Sequence, residues 1–217
     1  IRPFHHSQFP PELLRERKRE TVTVVLPTRE VADTIGPIVE QLLGLGGLVD
    51  QVLVVDAASQ DGTAEVAASL GADVHQEAAL LTEFGQVLGK GDAMWRALSA
   101  ARGELVVFLD ADTRDFSAHF GTGMLGPLIC EQEDAVGFVK GHFRRPFTTA
   151  EGERRPVDGG RVTELTARPL LSAFYPELAA LTQPLAGEVA ATRDLLESIP
   201  FATGYAVEMA MLLDVHA

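Results

Sequence analysis

The stretch Leu105-Val106-Val107-Phe108-Leu109-Asp110-Ala111-Asp112 decides the fold. An unbroken apolar run with no polar alternation reads as a strand buried on both faces, the pattern of a parallel sheet covered by helices. In open sheets of that kind, ligands gather at the carboxyl ends of the strands. Asp110 and Asp112 stand at such an end, one residue apart. Their carboxylate oxygens suit a hard divalent cation held against a phosphate-bearing ligand. Taken alone the pattern is short, and two solvated loop aspartates would look the same.

Upstream, the same strand type recurs. Thr21 to Leu26 reads as a strand stopped by Pro27. Ile35, Ile38, Val39, Leu42 and Leu43 then repeat at helical spacing, ended by Gly44, Gly46 and Gly47. Gln51 to Val55 is a second buried strand closing on Asp56. Ser59 or Asp61 is placed to cap a helix through Ala64, Val66, Ala67 and Leu70, and Ala72-Asp73-Val74 reads as a short third strand. Residues 76–91 look irregular. Asp92 then caps a helix carrying Met94, Trp95, Leu98 and Ala101. Alternation of strand and helix at these lengths predicts a parallel sheet with right-handed crossovers.

Downstream, the pattern changes. Ala135 to Phe143 reads as a strand, residues 148–160 as a charged loop, and helices are predicted over roughly 161–174, 189–198 and 204–216. Residues 1–20 are polar and basic, with Arg15, Arg17, Lys18 and Arg19, and read as a solvated helix or arm. Trp95 and the phenylalanines read as core; His75, His119 and His142 read as surface.

Composition narrows the class. With 217 residues, the chain suits one large α/β domain. Its net charge of −13 argues against a nucleic-acid-binding surface. No apolar run approaches the roughly 20 residues that span a bilayer, so no membrane partner is expected. Cys130 is the single cysteine, which fits a reducing cytoplasm and leaves no intrachain disulfide. The first residues carry no signal-peptide core, and Leu212 to Ala217 reads as the middle of a helix, so further natural sequence is expected beyond it.

The strand ends deliver polar groups to one edge: Pro27-Thr28-Arg29-Glu30, Asp56-Ala57-Ala58-Ser59, and Asp110 with Asp112. Such convergence says more than any single motif. Gly89-Lys90-Gly91 opens a helix, where a lysine between glycines reaches a diphosphate. A P-loop is excluded, because Gly85-x-x-x-Gly89-Lys90 is one residue short and Gly91 replaces the Ser or Thr. Gly159-Gly160-Arg161-Val162-Thr163-Glu164 also opens a helix, and its backbone N–H groups, Arg161 and the Thr163 hydroxyl form a small-anion site. Glu208 lies among apolar residues and needs a partner. A dehalogenase-type phosphatase also places Asp-x-Asp after an apolar strand, but here the fifth residue is Arg114 and the motif follows earlier strand units. A non-catalytic nucleotide-sugar-binding module is the second alternative.

Taken together, a strand ending near Pro27, Asp-x-x-Ser, Gly-Lys-Gly and Asp-x-Asp resemble the layout of GT-A glycosyltransferases, Rossmann-like α/β domains with a mostly parallel sheet flanked by helices. The strings Gly89 to Arg96, Gly159 to Leu165, Gln183-Pro184-Leu185-Ala186-Gly187-Glu188 and Pro200 to Glu208 resemble the glucosyl-3-phosphoglycerate synthases and their mannosyl counterparts. The resemblance runs from about Thr21 to the end. It implies retaining transfer of a hexose from a nucleotide diphosphate sugar to the 2-hydroxyl of 3-phosphoglycerate, by a cytoplasmic homodimer. The cofactor it implies is a divalent metal, Mg2+ with Mn2+ or Co2+ as substitutes. The phosphatase and the binding module are the alternatives outside transferases; within them, another family 2-like glycosyltransferase of the GT-A type stays open.

Residue by residue, the resemblance makes Asp110 and Asp112 the metal motif, with Asp112 the direct ligand and Ala111 between them. Pro27, Thr28, Arg29 and Ala57 lie where the nucleotide binds, and Lys90 on its phosphate side. Gly160, Arg161 and Thr163 hold the acceptor's phosphate and carboxylate. Glu208 and Tyr205 contact the sugar and its surroundings, and the Leu185 carbonyl faces the reacting acceptor hydroxyl. Residues 21–115 are then the nucleotide-sugar half and 116–217 a helical acceptor half. A further histidine ligand lies beyond Ala217. The glucosyl enzymes carry Leu-Pro-Ala-Leu-Asn-Glu and Asp-Ser-Gly-Ser where this chain has Leu26-Pro27-Thr28-Arg29-Glu30-Val31 and Asp56-Ala57-Ala58-Ser59. Both changes fall in the nucleotide pocket and favour GDP-sugars, including GDP-mannose, over UDP-glucose.

Overall fold

A computed structural model of the chain describes residues 1–131, 135–143, 147–148, 154–155 and 160–217. Its elements are α1 (Pro11–Arg17), β1 (Val22–Thr28), α2 (Ala32–Leu43), β2 (Gln51–Asp56), α3 (Thr63–Ser69), β3 (Asp73–Gln76), α4 (Lys90–Ala97), β4 (Leu105–Phe108), α5 (His119–Cys130), β5 (Phe138–Lys140), β6 (Phe147–Thr148), β7 (Arg154–Arg155), α6 (Arg168–Phe174), β8 (Val189–Thr192), α7 (Arg193–Ser198) and α8 (Val207–His216).

The main sheet runs β3-β2-β1-β4-β8-β5. β1 pairs in parallel with both β2 and β4, and β2 with β3. β1, β2 and β4 are buried throughout but for Pro27, as their apolar sequences require. The chain moves outward from β1 to β3 and then returns to β4 on the other side of β1. The strand order therefore reverses between β1 and β4, which opens a crevice at their carboxyl ends.

β8 runs antiparallel to both β4 and β5. It corrects the expectation of a helix over 189–198, of which only α7 is helical. Ala190 and Ala191 favour helix intrinsically. Their small side chains, fully buried between β4 and β5, suit a strand wedged into a covered sheet. Thr192 ends the strand and caps α7, its hydroxyl accepting from the Leu195 N–H. Being antiparallel, β8 begins at the edge where β4 ends, with Val189 opposite Phe108.

The N-terminal segment is also corrected. It is helical at α1, but Phe9 and Leu14 are buried in the main core, and Phe9 presses on Gly126 of α5. Burying those side chains stabilises the docking by about 2 kcal/mol each. The basic residues serve it too: Arg15 donates to the Leu45 carbonyl, and Lys18 to the Gly47 carbonyl and Asp50. Not every phenylalanine is core, since Phe84 and Phe174 are exposed. His75 is half-buried beside Asp73, and His119 and His142 are exposed as expected. Of the expected charged loop at 148–160, β6 and β7 form a short antiparallel pair, and the rest apart from Gly160 lies outside the described residues.

Candidate active site

The carboxyl ends of β1 and β2 meet in register at Thr28 and Asp56. Asp56 is fully buried. Its carboxylate accepts from the Thr28 and Ser59 hydroxyls, the Ser59 N–H and the Gln76 amide. Burial disfavours its charge, yet the hydrogen bonds from Ser59, Gln76 and Thr28 prevail and hold its pKa below the ordinary value. Asp56 is thus the tie that binds β1, the 57–63 loop and β3. Thr28, expected in the nucleotide pocket, has its hydroxyl committed to this tie. Arg29 is exposed, Pro27 and Ala57 are half-buried, and the Ala57 N–H donates to the Thr28 carbonyl. Asp61 shapes the same wall: it accepts from the N–H of Ala32 and from Thr63 at the start of α3.

Beyond β4 the chain turns at Ala111-Asp112. Ala111 is buried, and its carbonyl accepts from the Thr34 hydroxyl at 2.7 Å. Asp112 is exposed and makes no hydrogen bond or ion pair among the described residues. Asp110 points the other way: its Oδ1 lies 2.8 Å from the Lys90 ammonium. Lys90 in turn lies 3.0 Å from Glu208 Oε1, in the first turn of α8. Burial opposes the Lys90 charge, but Asp110 and Glu208 outweigh it and raise its pKa further.

The glycines around Lys90 explain its placement. A Cβ on Gly91 would stand 1.9 Å from the Ala202 carbonyl, and one on Gly89, at φ +89°, 3.1 Å from the Gly204 Cα. The Gly204 N–H donates to the Leu88 carbonyl. The start of α4 is therefore pressed against the 202–204 segment leading into α8, which brings Lys90 to Glu208. Gly89, not Asp92, occupies the cap position of α4; Asp92 accepts from the Leu88 N–H and pairs with Arg96. Arg96 is 1% exposed and also donates to the carbonyls of Leu80, Leu81 and Gly85, tying the irregular segment before Lys90 to α4.

The 183–188 segment closes the site from β8. Glu188 is buried, and Gly187 abuts the Asp110 carboxylate. Leu185 is half-buried. Lys140, at the end of β5, donates to the Ala186 carbonyl. Burial pushes the Lys140 ammonium down to about 8 against the pull of Glu208 and Glu188. The sequence reading passed over Lys140 and Arg96; a lone lysine closing the apolar run Val136 to Val139 was the available signal for the first.

The structure thus joins Lys90, Asp110 and Glu208 directly. Gly160, Arg161 and Thr163 sit at the start of the helical stretch before α6, with Thr163 buried and the other two exposed. Gly160 adopts φ +99°, and its carbonyl accepts from the Glu164 N–H. No hydrogen bond or ion pair among the described residues links them to Lys90 or Asp110. Tyr205 is 86% exposed on the turn before α8. Gly159 lies outside the described residues. Among the described residues no group of three or more His, Cys, Asp and Glu side chains is arranged to hold a metal. Asp110 and Asp112 supply oxygen donors of the kind Mg2+ and Mn2+ take, and such ions commonly complete their shell with phosphate oxygens and water.

A mostly parallel sheet with its reversal crevice facing an Asp-x-Asp turn defines a GT-A glycosyltransferase domain. The chain belongs to glycosyl transferase family 2, whose model matches residues 23–155. It is 44% identical over 206 residues to the glucosyl-3-phosphoglycerate synthase of Mycolicibacterium paratuberculosis, covering 94% of this chain and 62% of the relative. The mannosyl-3-phosphoglycerate synthase structure from Rubrobacter xylanophilus superposes with a TM-score of 0.89 at 53% identity, over 98% of this chain and 67% of that one. The glucosyl-3-phosphoglycerate synthase of Mycobacterium tuberculosis, in complex with Mn2+, UDP-glucose and phosphoglyceric acid, gives 0.85 at 39% identity over 99% of this chain and 70% of that one. The chain spans less than two thirds of the first of these relatives.

Proposed function

We propose that the protein is a metal-dependent retaining hexosyltransferase that moves mannose or glucose from a nucleotide diphosphate sugar to the 2-hydroxyl of 3-phosphoglycerate. The observation that carries this reading is Lys90 held between Asp110 and Glu208 at the crevice between β1 and β4. The relatives named glucosyl- and mannosyl-3-phosphoglycerate synthase support the substrate class.

In this reading Asp110 and Asp112 hold a divalent cation, Mg2+ or Mn2+. When bound, the ion neutralises charge on the diphosphate. Lys90 exchanges its carboxylate partners for a diphosphate oxygen and stabilises the charge that develops as the bond from the sugar C1 to the diphosphate breaks. The acceptor oxygen bonds to C1 on the same face, and its proton passes to the departing phosphate oxygen. Glu208, released from Lys90, accepts from sugar hydroxyls beside Tyr205. Gly160, Arg161 and Thr163 bind the acceptor's phosphate and carboxylate, and the Leu185 carbonyl orients its hydroxyl. Residues 21–115, with Pro27, Thr28, Arg29 and Ala57, form the donor half and 116–217 the acceptor half.

A GDP-sugar, GDP-mannose among them, is the favoured donor, because Thr28-Arg29 and Ala57-Ala58 depart from the glucosyl strings in the nucleotide pocket. The same reading takes the protein as a cytoplasmic homodimer: a single cysteine fits a reducing compartment, and exposed Leu165, Leu170 and Phe174 offer apolar surface to a second copy. Metal-dependent release of nucleoside diphosphate only when 3-phosphoglycerate is added tests the activity. A panel of UDP-glucose, GDP-glucose and GDP-mannose settles the donor. Release independent of 3-phosphoglycerate would sink the acceptor assignment.

A further inference from the structure

The segment Gln183 to Glu188 is pinned by two side chains, its own Gln183 and Lys140 from β5. At one end, the Gln183 side chain pairs with the Phe143 backbone: its amide nitrogen donates to the Phe143 carbonyl at 2.6 Å, and its oxygen accepts from the Phe143 N–H at 3.2 Å. This extends the β5–β8 ladder beyond its last backbone pairs. At the other end, Lys140 donates to the Ala186 carbonyl. Leu185 lies between the two pins, and the Gly187 backbone behind them rests on Asp110. The turn is further tightened by the Ala186 N–H donating to the Gln183 carbonyl.

A buried ammonium is costly, and a structural pin would need only a neutral donor. Burial and Lys90 disfavour the Lys140 ammonium, while Glu208, Glu188 and Asp110 bear on it in its favour. Its position serves two ends together: it fixes the backbone next to Leu185 and shares the field of the carboxylates around Lys90. We infer that Lys140 is a positioning residue, with Gln183 its counterpart, and that the pair holds the Leu185 carbonyl in line with the acceptor hydroxyl. This rests on the reading of Leu185 as the acceptor-facing carbonyl.

The test compares wild type, Lys140→Met and Gln183→Leu in the full-length protein. Transfer from the best donor to 3-phosphoglycerate is measured beside calorimetric binding of the nucleoside diphosphate with Mn2+. The expected result for Lys140→Met is a kcat at least 10-fold lower, nucleotide Kd within twofold of wild type, and faster amide exchange confined to 183–188. A role in general stability alone would weaken nucleotide binding and kcat together. If Lys140→Met does not fold, Gln183→Leu carries the same expectation from the other pin. Unchanged kcat in a folded variant, or equal losses in kcat and nucleotide affinity, overturns the inference and leaves the transferase reading intact. No transfer to 3-phosphoglycerate by the wild type overturns both.

Discussion

Gly187 lies so close to Asp110 that a Cβ on it would stand 2.3 Å from the aspartate's Oδ1 and 2.5 Å from its Oδ2. Real Cβ atoms do not come so near. Asp110 therefore keeps its orientation toward Lys90 only while position 187 lacks a side chain. Gly187→Ala is expected to displace the carboxylate or the segment and to lower transfer by up to about 100-fold, a loss that a 1 Å misplacement can cause. Folding should weaken by about 1–3 kcal/mol, as for overpacking. Steady-state kinetics with urea unfolding of the same variant separates the effects.

Asp112 is exposed and makes no hydrogen bond or ion pair among the described residues, so its removal should leave stability within about 0.5 kcal/mol. Asp112→Ala is expected to retain its melting temperature and to lose both transfer and any stabilisation by Mn2+ with nucleotide. Full activity in this variant would rule out the metal role.

Arg96 ties Asp92 to three carbonyls from the depth of the fold. Arg96→Met keeps much of the volume and strands those acceptors. Breaking a buried pair in this way costs about 3–5 kcal/mol. Urea unfolding should read that loss, and limited proteolysis should cut first within 80–89.

Ala58 holds φ +55°, a left-handed conformation that costs an alanine and not a glycine. Ala58→Gly should therefore stabilise the fold by about 0.5–1 kcal/mol, after allowing for glycine's freer unfolded state. Thermal unfolding checks the direction.

Asp56 has a folded pKa below its ordinary value of 3.8. The folded state thus releases its proton more readily than the unfolded chain. The stabilisation is fully present well above that ordinary value and is lost as pH falls through the folded pKa. Stability measured from pH 7 down to 3 should fall more steeply for wild type than for Asp56→Asn, so that the gap between them narrows on acidification.

The parallel half was legible because its strands are unbroken apolar runs, a signal that survives without tertiary context. The strand at Val189–Thr192 was not, because two alanines inside it carry no β preference and only their slot between β4 and β5 makes them a strand. Likewise the hydrophilic N-terminus hid Phe9 and Leu14, isolated apolar residues whose burial depends on α5. In the site, Asp110, Lys90 and Glu208 were each legible as chemistry, but their meeting depends on Gly91 and Gly187, where the decisive property is the absence of atoms.

The grouping of Lys90 with Asp110 and Glu208 bears on how ligands arrive. Lys90 reaches an incoming anion only by giving up Asp110 or Glu208, and each carboxylate it releases repels a diphosphate. On the transferase reading, a divalent cation at Asp110 and Asp112 would offset that repulsion. Donor affinity should therefore rise steeply with free cation concentration, the nucleotide entering as its metal complex rather than as a bare anion.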